Sequence, residues 1–343
     1  MSGRELRYQH VGRFALESGD VLPDVVQAYR LWGELNAARD NLVVLFHSLT
    51  GDTDAVQGWW KGVIGPGLAV DTNRYAVLCP NLLGSCYGTT GLPDGAAGGD
   101  GPTEERPPVT PRDMVRLIKL LVDELGAREV ALATGGSLGG MLAVEWAATY
   151  PTLSRAVVVF AAPVAHTAHA VGLNQVQRRA IEIGGVAGLE LARMAAMLTY
   201  RTPVELEMRF GRERRDDGRF QIQSYLDYQG EKLVARMDPQ TYVTLIDAMD
   251  AHDVGRGRGG VAAALRGFRG QLVAVGITGD QLYPDEEVRH WAGATGADYR
   301  SIRSVHGHDA FLLEPVQVCE ILTDVLHAAQ RRSAGIAIAG GAA

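Results

Sequence analysis

The chain has 343 residues, enough for one large domain or for a core with a smaller insertion. With 46% hydrophobic and 21% charged residues it has the composition of a soluble globular protein. A net charge of −7 argues against a nucleic-acid partner; with no apolar run of bilayer length and no basic-then-apolar signal peptide, no membrane partner is expected and the cytoplasm is the expected location.

Residues 4–16 alternate polar and apolar side chains, and residues 25–32 carry Val25-Val26-x-x-Tyr29-x-Leu31-Trp32. Both read as antiparallel edge strands. Residues 41–47 hold an unbroken apolar run and read as a central parallel strand, followed by the loop His47-Ser48-Leu49-Thr50-Gly51-Asp52. His47 is expected to be a hydrogen-bonded residue at the strand end. Residues 74–80 form the next strand, followed by a loop over 81–91. Residues 92–108, rich in Gly, Pro, Asp and Glu, read as a mobile surface excursion. Thr110 then caps a helix with Pro111 at its first position, and Gly126 ends it.

Residues 129–134 are a buried strand, and Gly135-x-Ser137-x-Gly139 follows with an apolar helix behind it. This is the pattern of a nucleophile elbow. A serine on so sharp a turn has a strained backbone, and its neighbours must lack side chains for strand and helix to pack. The helix N-terminus favours developing negative charge, and the N–H of Leu138 points where an oxyanion would form. Residues 156–160 are another buried strand.

From residue 163 to 260 strands give way to helical periodicity, over 176–183, 188–200, 204–210, 225–237 and 239–249. This block reads as a helical cap inserted into an α/β core made of residues 1–162 and 261–332. The Gly/Arg-rich run 255–260 lacks the flanks of a phosphate loop and reads as a flexible connector. Residues 271–277, 285–292, 299–304 and 315–330 resume the strand–helix rhythm, and residues 333–343 are expected to be a disordered tail. The alternation implies a mostly parallel sheet whose ligands bind beyond the carboxyl ends of its strands.

A serine nucleophile needs a base, and the base needs a carboxylate to orient it. Asp280 directly follows the strand at 271–277, with Asp285 as its competitor. His308 lies in the loop before the last helix, in Gly307-His308-Asp309-Ala310-Phe311, with His306 as its competitor. The order Ser137, Asp280, His308 is that of the elbow enzymes. His166-x-x-His169 stands without the cluster a metal site needs, so no metal is expected. Cys79, Cys86 and Cys319 fit neither a disulfide framework nor a zinc spacing and read as buried or unreactive thiols.

Several separate stretches together resemble the homoserine O-acetyltransferases of the α/β-hydrolase superfamily. They are Leu45–Asp52, Pro80–Gly91, Gly135–Met141, Gly307–Leu312, and, in the cap, Asn174-Gln175-Val176-Gln177-Arg178-Arg179-Ala180-Ile181 and Gly188–Met194 with Tyr200 beyond. The resemblance implies an α/β-hydrolase fold with an inserted helical cap and a Ser137–Asp280–His308 triad. It gives Leu49, to within one residue, and Leu138 as oxyanion donors. Arg193 would bind the amino-acid carboxylate with Tyr200 close by, and Asp309 the amino group. It further implies acetyl-CoA as a donor substrate with no cofactor, L-homoserine as acceptor in methionine biosynthesis, and a homodimer through the cap. Between Ile181 and Gly188 the cap is shorter than the family pattern. A carboxyl-ester hydrolase and a serine or homoserine O-succinyl- or acyltransferase stand as alternatives on the same scaffold.

Overall fold

A computed structural model describes residues 5–91 and 107–340, with side chains as far as Arg331. The excursion expected at 92–108 therefore falls outside the described residues except for its last two.

The chain opens with β1 (Arg7–Ala15) and β2 (Val21–Trp32), paired antiparallel. β3 (Leu42–Phe46) follows, then two short paired strands, β4 (Ile64–Gly65) and β5 (Val70–Asp71), and β6 (Ala76–Pro80). Helix α1 (Pro111–Glu124) starts at a reciprocal cap: Asp113 N–H donates to Thr110 Oγ1, and Thr110 N–H donates to Asp113. β7 (Val130–Gly136), α2 (Leu138–Thr149) and β8 (Ala156–Phe160) come next.

Between β8 and the next strand lie α3 (Ala168–Tyr200), α4 (Pro203–Phe210), α5 (Gln221–Val234), α6 (Pro239–Asp250) and α7 (Val261–Leu265). The chain closes with β9 (Gln271–Ile277), α8 (Asp285–Thr295), β10 (Asp298–Ile302), the short α9 (Ala310–Leu313) and α10 (Pro315–Gly340). The last helix corrects the disordered reading of 333–340: it runs on to Gly340, with Ala334, Ala337 and Ala339 as the good helix formers of that stretch. Residues 341–343 lie outside the described residues.

The main sheet has the order β1-β2-β6-β3-β7-β8-β9-β10 and is parallel from β6 onward. Both faces are covered. Along β3, Leu42, Val44 and Phe46 join one apolar core while Val43 and Leu45 join the other, as period-two alternation requires. The register sets Phe46 beside Gly135, Gly136 beside Phe160 and Phe160 beside Val275. The carboxyl ends of four strands thus stand level, and the loops leaving them meet at one edge.

Two expectations within the helical block change. Residues 168–200 form a continuous helical run interrupted by a single break at Gly185, with φ 55° and ψ −120°. The 255–260 run is pinned rather than flexible. Glu145 on α2 is buried and takes Arg258 Nη2 at 2.7 Å and Arg112 Nε at 3.0 Å, while Arg256 binds Glu17. A buried carboxylate demands such counter-charge. Among the described residues no helix is long and apolar enough to cross a membrane.

Candidate active site

Ser137 sits between β7 and α2 with φ 59° and ψ −125°, a conformation costly for a side-chain-bearing residue. The strain is held by packing. A Cβ on Gly139 would lie 2.0 Å from the Phe46 carbonyl oxygen, and one on Gly135 would lie 2.4 Å from that same oxygen. Only glycine lets β3 pass this close to the elbow.

His308 follows β10 on a short helical turn. Its Nδ1 lies 2.7 Å from Asp280 Oδ2, and both groups are buried. Asp280 Oδ1 in turn accepts from the backbone N–H of Leu282 at 2.8 Å and Tyr283 at 3.0 Å, so the carboxylate cannot swing. Burial pulls the His308 pKa down, but the charge and hydrogen bond of Asp280 pull harder, and it lies above the ordinary value of 6.5. Nε2 is buried, is without a hydrogen-bond partner among the described residues, and belongs to a residue lining the same cavity as Ser137. The competitors have other partners. Asp285 binds Tyr299 and Arg289, and His306 Nδ1 lies 3.1 Å from Glu205.

His47 is buried and bridges the Ser48 carbonyl at 2.9 Å and the Asn81 side chain at 3.1 Å, the strand-end position expected of it. Burial lowers its pKa. Leu49, two residues on, lines the cavity, and Leu138 occupies the first position of α2.

The cavity measures about 90 Å³ and is lined by Ser137, His308, Leu49, Arg193, Tyr200 and Asp309, with Ser48, Thr50, Phe311 and Leu312 completing the wall. All the substrate-contact residues expected from the sequence therefore converge there. Arg193 reaches in from α3, its guanidinium carbon 5.6 Å from the Tyr200 ring centroid, and forms no salt bridge among the described residues. Asp309 is not free in the same way: Arg201 Nη2 lies 3.1 Å from its Oδ2. Burial raises the Asp309 pKa, against the opposing charges of Arg201, His308 and Arg193.

A family model described as alpha/beta hydrolase fold matches residues 41–181. A homoserine O-acetyltransferase of Thermobifida fusca (strain YX) is 43% identical over 347 residues, covering 91% of this chain and 90% of its own. The chain belongs to the homoserine O-acetyltransferase family. The crystal structure of homoserine O-acetyltransferase from Staphylococcus aureus superposes with a TM-score of 0.79 at 28% identity, covering 94% of this chain and 95% of the other. The crystal structure of esterase E22 gives a TM-score of 0.83 at 18% identity, covering 94% and 99%, a likeness of fold alone.

Two residues at the homoserine O-acetyltransferase site escaped the sequence reading. Arg201 is the standing partner of Asp309 and also binds Glu205 at 2.9 Å. Arg236 leaves the C-terminal end of α5 and donates to the Thr50 carbonyl at 2.6 Å and the Tyr87 hydroxyl at 2.7 Å, tying the loop of Leu49 to the cap. Neither has a periodic or spacing signal. The charge of Asp309, exposed to view in the motif, was the one clue that a cation should face it.

Proposed function

We propose that the protein transfers the acetyl group of acetyl-CoA to the hydroxyl of L-homoserine through an acetyl-Ser137 intermediate. The observation that carries this reading is that Arg193, which forms no salt bridge among the described residues, lines the same cavity as Ser137, His308 and Asp309. An esterase has no use for a free guanidinium and a carboxylate beside its nucleophile. An α-amino acid presents the complementary pair.

Ser137 Oγ attacks the thioester carbonyl while His308 Nε2 takes its proton. The N–H groups of Leu49 and Leu138 hold the oxyanion. The tetrahedral adduct collapses, the C–S bond breaks, and His308 returns the proton to the departing thiolate. Homoserine then binds with its carboxylate on the planar fork of Arg193 and its ammonium on Asp309. His308 deprotonates its hydroxyl, the oxygen attacks the acetyl carbon, and Ser137 leaves with the proton from His308. Arg201 fixes one oxygen of Asp309, leaving the other for the ammonium. No cofactor enters, since acetyl-CoA is consumed as a substrate.

Exposed apolar side chains on α3 support a homodimer through the cap. Val176 and Ile183 are 60% and 78% exposed and two turns apart, so they share a helix face. Leu191 and Leu198 repeat the spacing beyond the break, also exposed. A cytoplasmic setting agrees with three unbridged cysteines. Burial raises the thiol pKa of Cys79, Cys86 and Cys319, which disfavours the reactive thiolate form.

The test is CoA release from acetyl-CoA with homoserine, serine or no acceptor, with products identified by mass spectrometry. Release that needs homoserine and yields O-acetylhomoserine is expected. Equal release without acceptor makes the protein a hydrolase, and succinyl-CoA or serine outperforming their counterparts changes the donor or the acceptor.

A further inference from the structure

The cap motif Asn174-x-x-Gln177-Arg178 does not line the cavity, yet Asn174 and Arg178 anchor a buried hydrogen-bond chain that ends beside the base. His308 is caged by aromatic rings, with the Tyr283 centroid at 5.3 Å and the Tyr200 centroid at 5.6 Å. The Tyr283 hydroxyl leads away from the cavity into a buried chain of hydrogen bonds. From Tyr283 the chain runs to His166 Nε2 at 3.0 Å, and from His166 Nδ1 to Asp250 Oδ1 at 3.0 Å. Asp250 is then held twice from α3: Asn174 Nδ2 donates to Oδ1 at 2.8 Å, and Arg178 Nη2 donates to Oδ2 at 2.7 Å.

Asp250, His166 and the Tyr283 hydroxyl have the order of a carboxylate–imidazole–hydroxyl array. Tyr283 is fully buried, though, and the His166 side chain is 1% exposed. No substrate reaches them, so the array can act only by holding the Tyr283 ring. With its Nδ1–H donated to Asp250, His166 presents a bare Nε2 to the phenol, and its tautomer is set by the second hydrogen bond. The Tyr283 backbone N–H meanwhile donates to Asp280. Tyr283 therefore touches both the base and the acid that orients it.

We propose that Asn174 and Arg178 are positioning residues: through Asp250–His166–Tyr283 they clamp the tyrosine ring that sets the plane of the His308 imidazole. The inference rests on the reading of His308 as the general base of acyl transfer. An imidazole free to tilt within its cage spends less time with Nε2 aimed at Ser137. Misplacement of a reacting group by 1 Å can cost about 100-fold in rate. Docking of the cap and competence of the triad are then one event, because the clamp closes only when α3 is seated.

The experiment uses Tyr283→Phe, His166→Gln, their double variant, Arg178→Met and Arg178→Lys in the full chain. Tyr283→Phe keeps the ring and removes only its tether. The burst of CoA release from acetyl-CoA alone reports acyl-enzyme formation, and the downfield proton resonance of His308 Nδ1–H reports the imidazole without any substrate. The expected result is a burst rate constant lower by about 10-fold or more in Tyr283→Phe and Arg178→Met, with KM for acetyl-CoA unchanged. The double variant should be no slower than the slower single one, because both break one chain. Arg178→Lys should recover part of the rate, and the resonance should broaden in Tyr283→Phe. Burst rates and resonance undisturbed in Tyr283→Phe and His166→Gln, with only the melting temperature lowered, would overturn the clamp. If the unsubstituted protein gives no burst at all, the acyl-transfer reading fails. The resonance then decides the clamp alone: broadening in Tyr283→Phe supports it, and an unchanged line overturns it.

Discussion

Replacing Arg193 by methionine separates the two halves of the proposed reaction. Methionine keeps most of the apolar stem and removes the fork. Arg193 is half-buried and has no carboxylate partner among the described residues, so its loss strands no other side chain of the protein. What it strands is the substrate carboxylate, which would enter the cavity without a counter-charge. Truncating one partner of a desolvated charge pair costs about 2–5 kcal/mol, and partial exposure places Arg193 in the lower half of that range. At about 1.4 kcal/mol per decade, kcat/KM for homoserine should fall roughly 30- to 300-fold. The first half-reaction involves acetyl-CoA alone and makes no use of the guanidinium. Stopped-flow detection of released thiol resolves the two phases: the burst should keep its amplitude and rate, and the homoserine-dependent phase should slow. Arg193→Lys keeps a point charge without the fork and should lie between the two. A burst that vanishes with the substitution would show that Arg193 serves the triad or the coenzyme. An unaltered homoserine dependence would show that the amino acid binds elsewhere.

Other substitutions test the remaining parts. Ser137→Ala should leave the melting temperature nearly unchanged and reduce turnover by about 10⁴-fold or more, because the triad acts as a unit; undiminished turnover would remove the serine from the mechanism. The base form of His308 is the neutral imidazole, and its pKa lies above 6.5, so the burst rate should rise with pH through a midpoint above that value. Asp280→Asn removes the group that opposes burial and should move any residual limb below it, a shift read from the pH profile of the burst. Gly139→Ala would push a methyl group to 2.0 Å from the Phe46 carbonyl oxygen, both on packed backbone, and should destabilise the fold by about 1–3 kcal/mol or more in denaturant titration. Ile183→Glu places a charge in the proposed dimer face and should yield a monomer in sedimentation velocity.

What could be read from the sequence was whatever chemistry is local in the chain. The elbow is a strand, a glycine-flanked serine and a helix within eighteen residues, and each part is required by its neighbours. Asp280 and His308 were found because each follows a recognisable strand. The partners that arrive from elsewhere were invisible. Arg201 follows the last helical residue of α3 and carries no periodic signal, yet it holds Asp309 from more than one hundred positions away. The 255–260 run looked flexible because Gly and Arg favour loops, while its anchor, Glu145, was hidden as one charge in an apolar helix. The helical run at 168–200 was read as two helices because the glycines interrupt its pattern; the structure confines the interruption to Gly185. For Arg201 and for the 255–260 run a long-range electrostatic partner decided the outcome, and no window of residues contains it.

The same limit bears on transfer against hydrolysis. A fold shared with an esterase at a TM-score of 0.83 shows that neither the sheet nor the level strand ends decide the acceptor. The triad does not decide it either, since His308 would activate water as readily as a hydroxyl. The difference must come from what holds the acceptor. The cavity of about 90 Å³ that Ser137 lines carries Arg193 and Asp309 on the same wall. Arg193 and Asp309 make that space polar at two fixed points, so a zwitterion filling both expels the water that would otherwise compete. Its hydroxyl is then carried to the acetyl carbon by the same contacts that exclude its rival. Orientation of this kind can outweigh bulk water at its ordinary concentration by several orders of magnitude. An Arg193→Met and Asp309→Asn double variant should therefore turn toward hydrolysis, releasing acetate from acetyl-CoA faster than it acetylates homoserine. Acetate and O-acetylhomoserine measured in one reaction give that ratio, and a ratio unchanged from the parent would locate the discrimination outside these two charges.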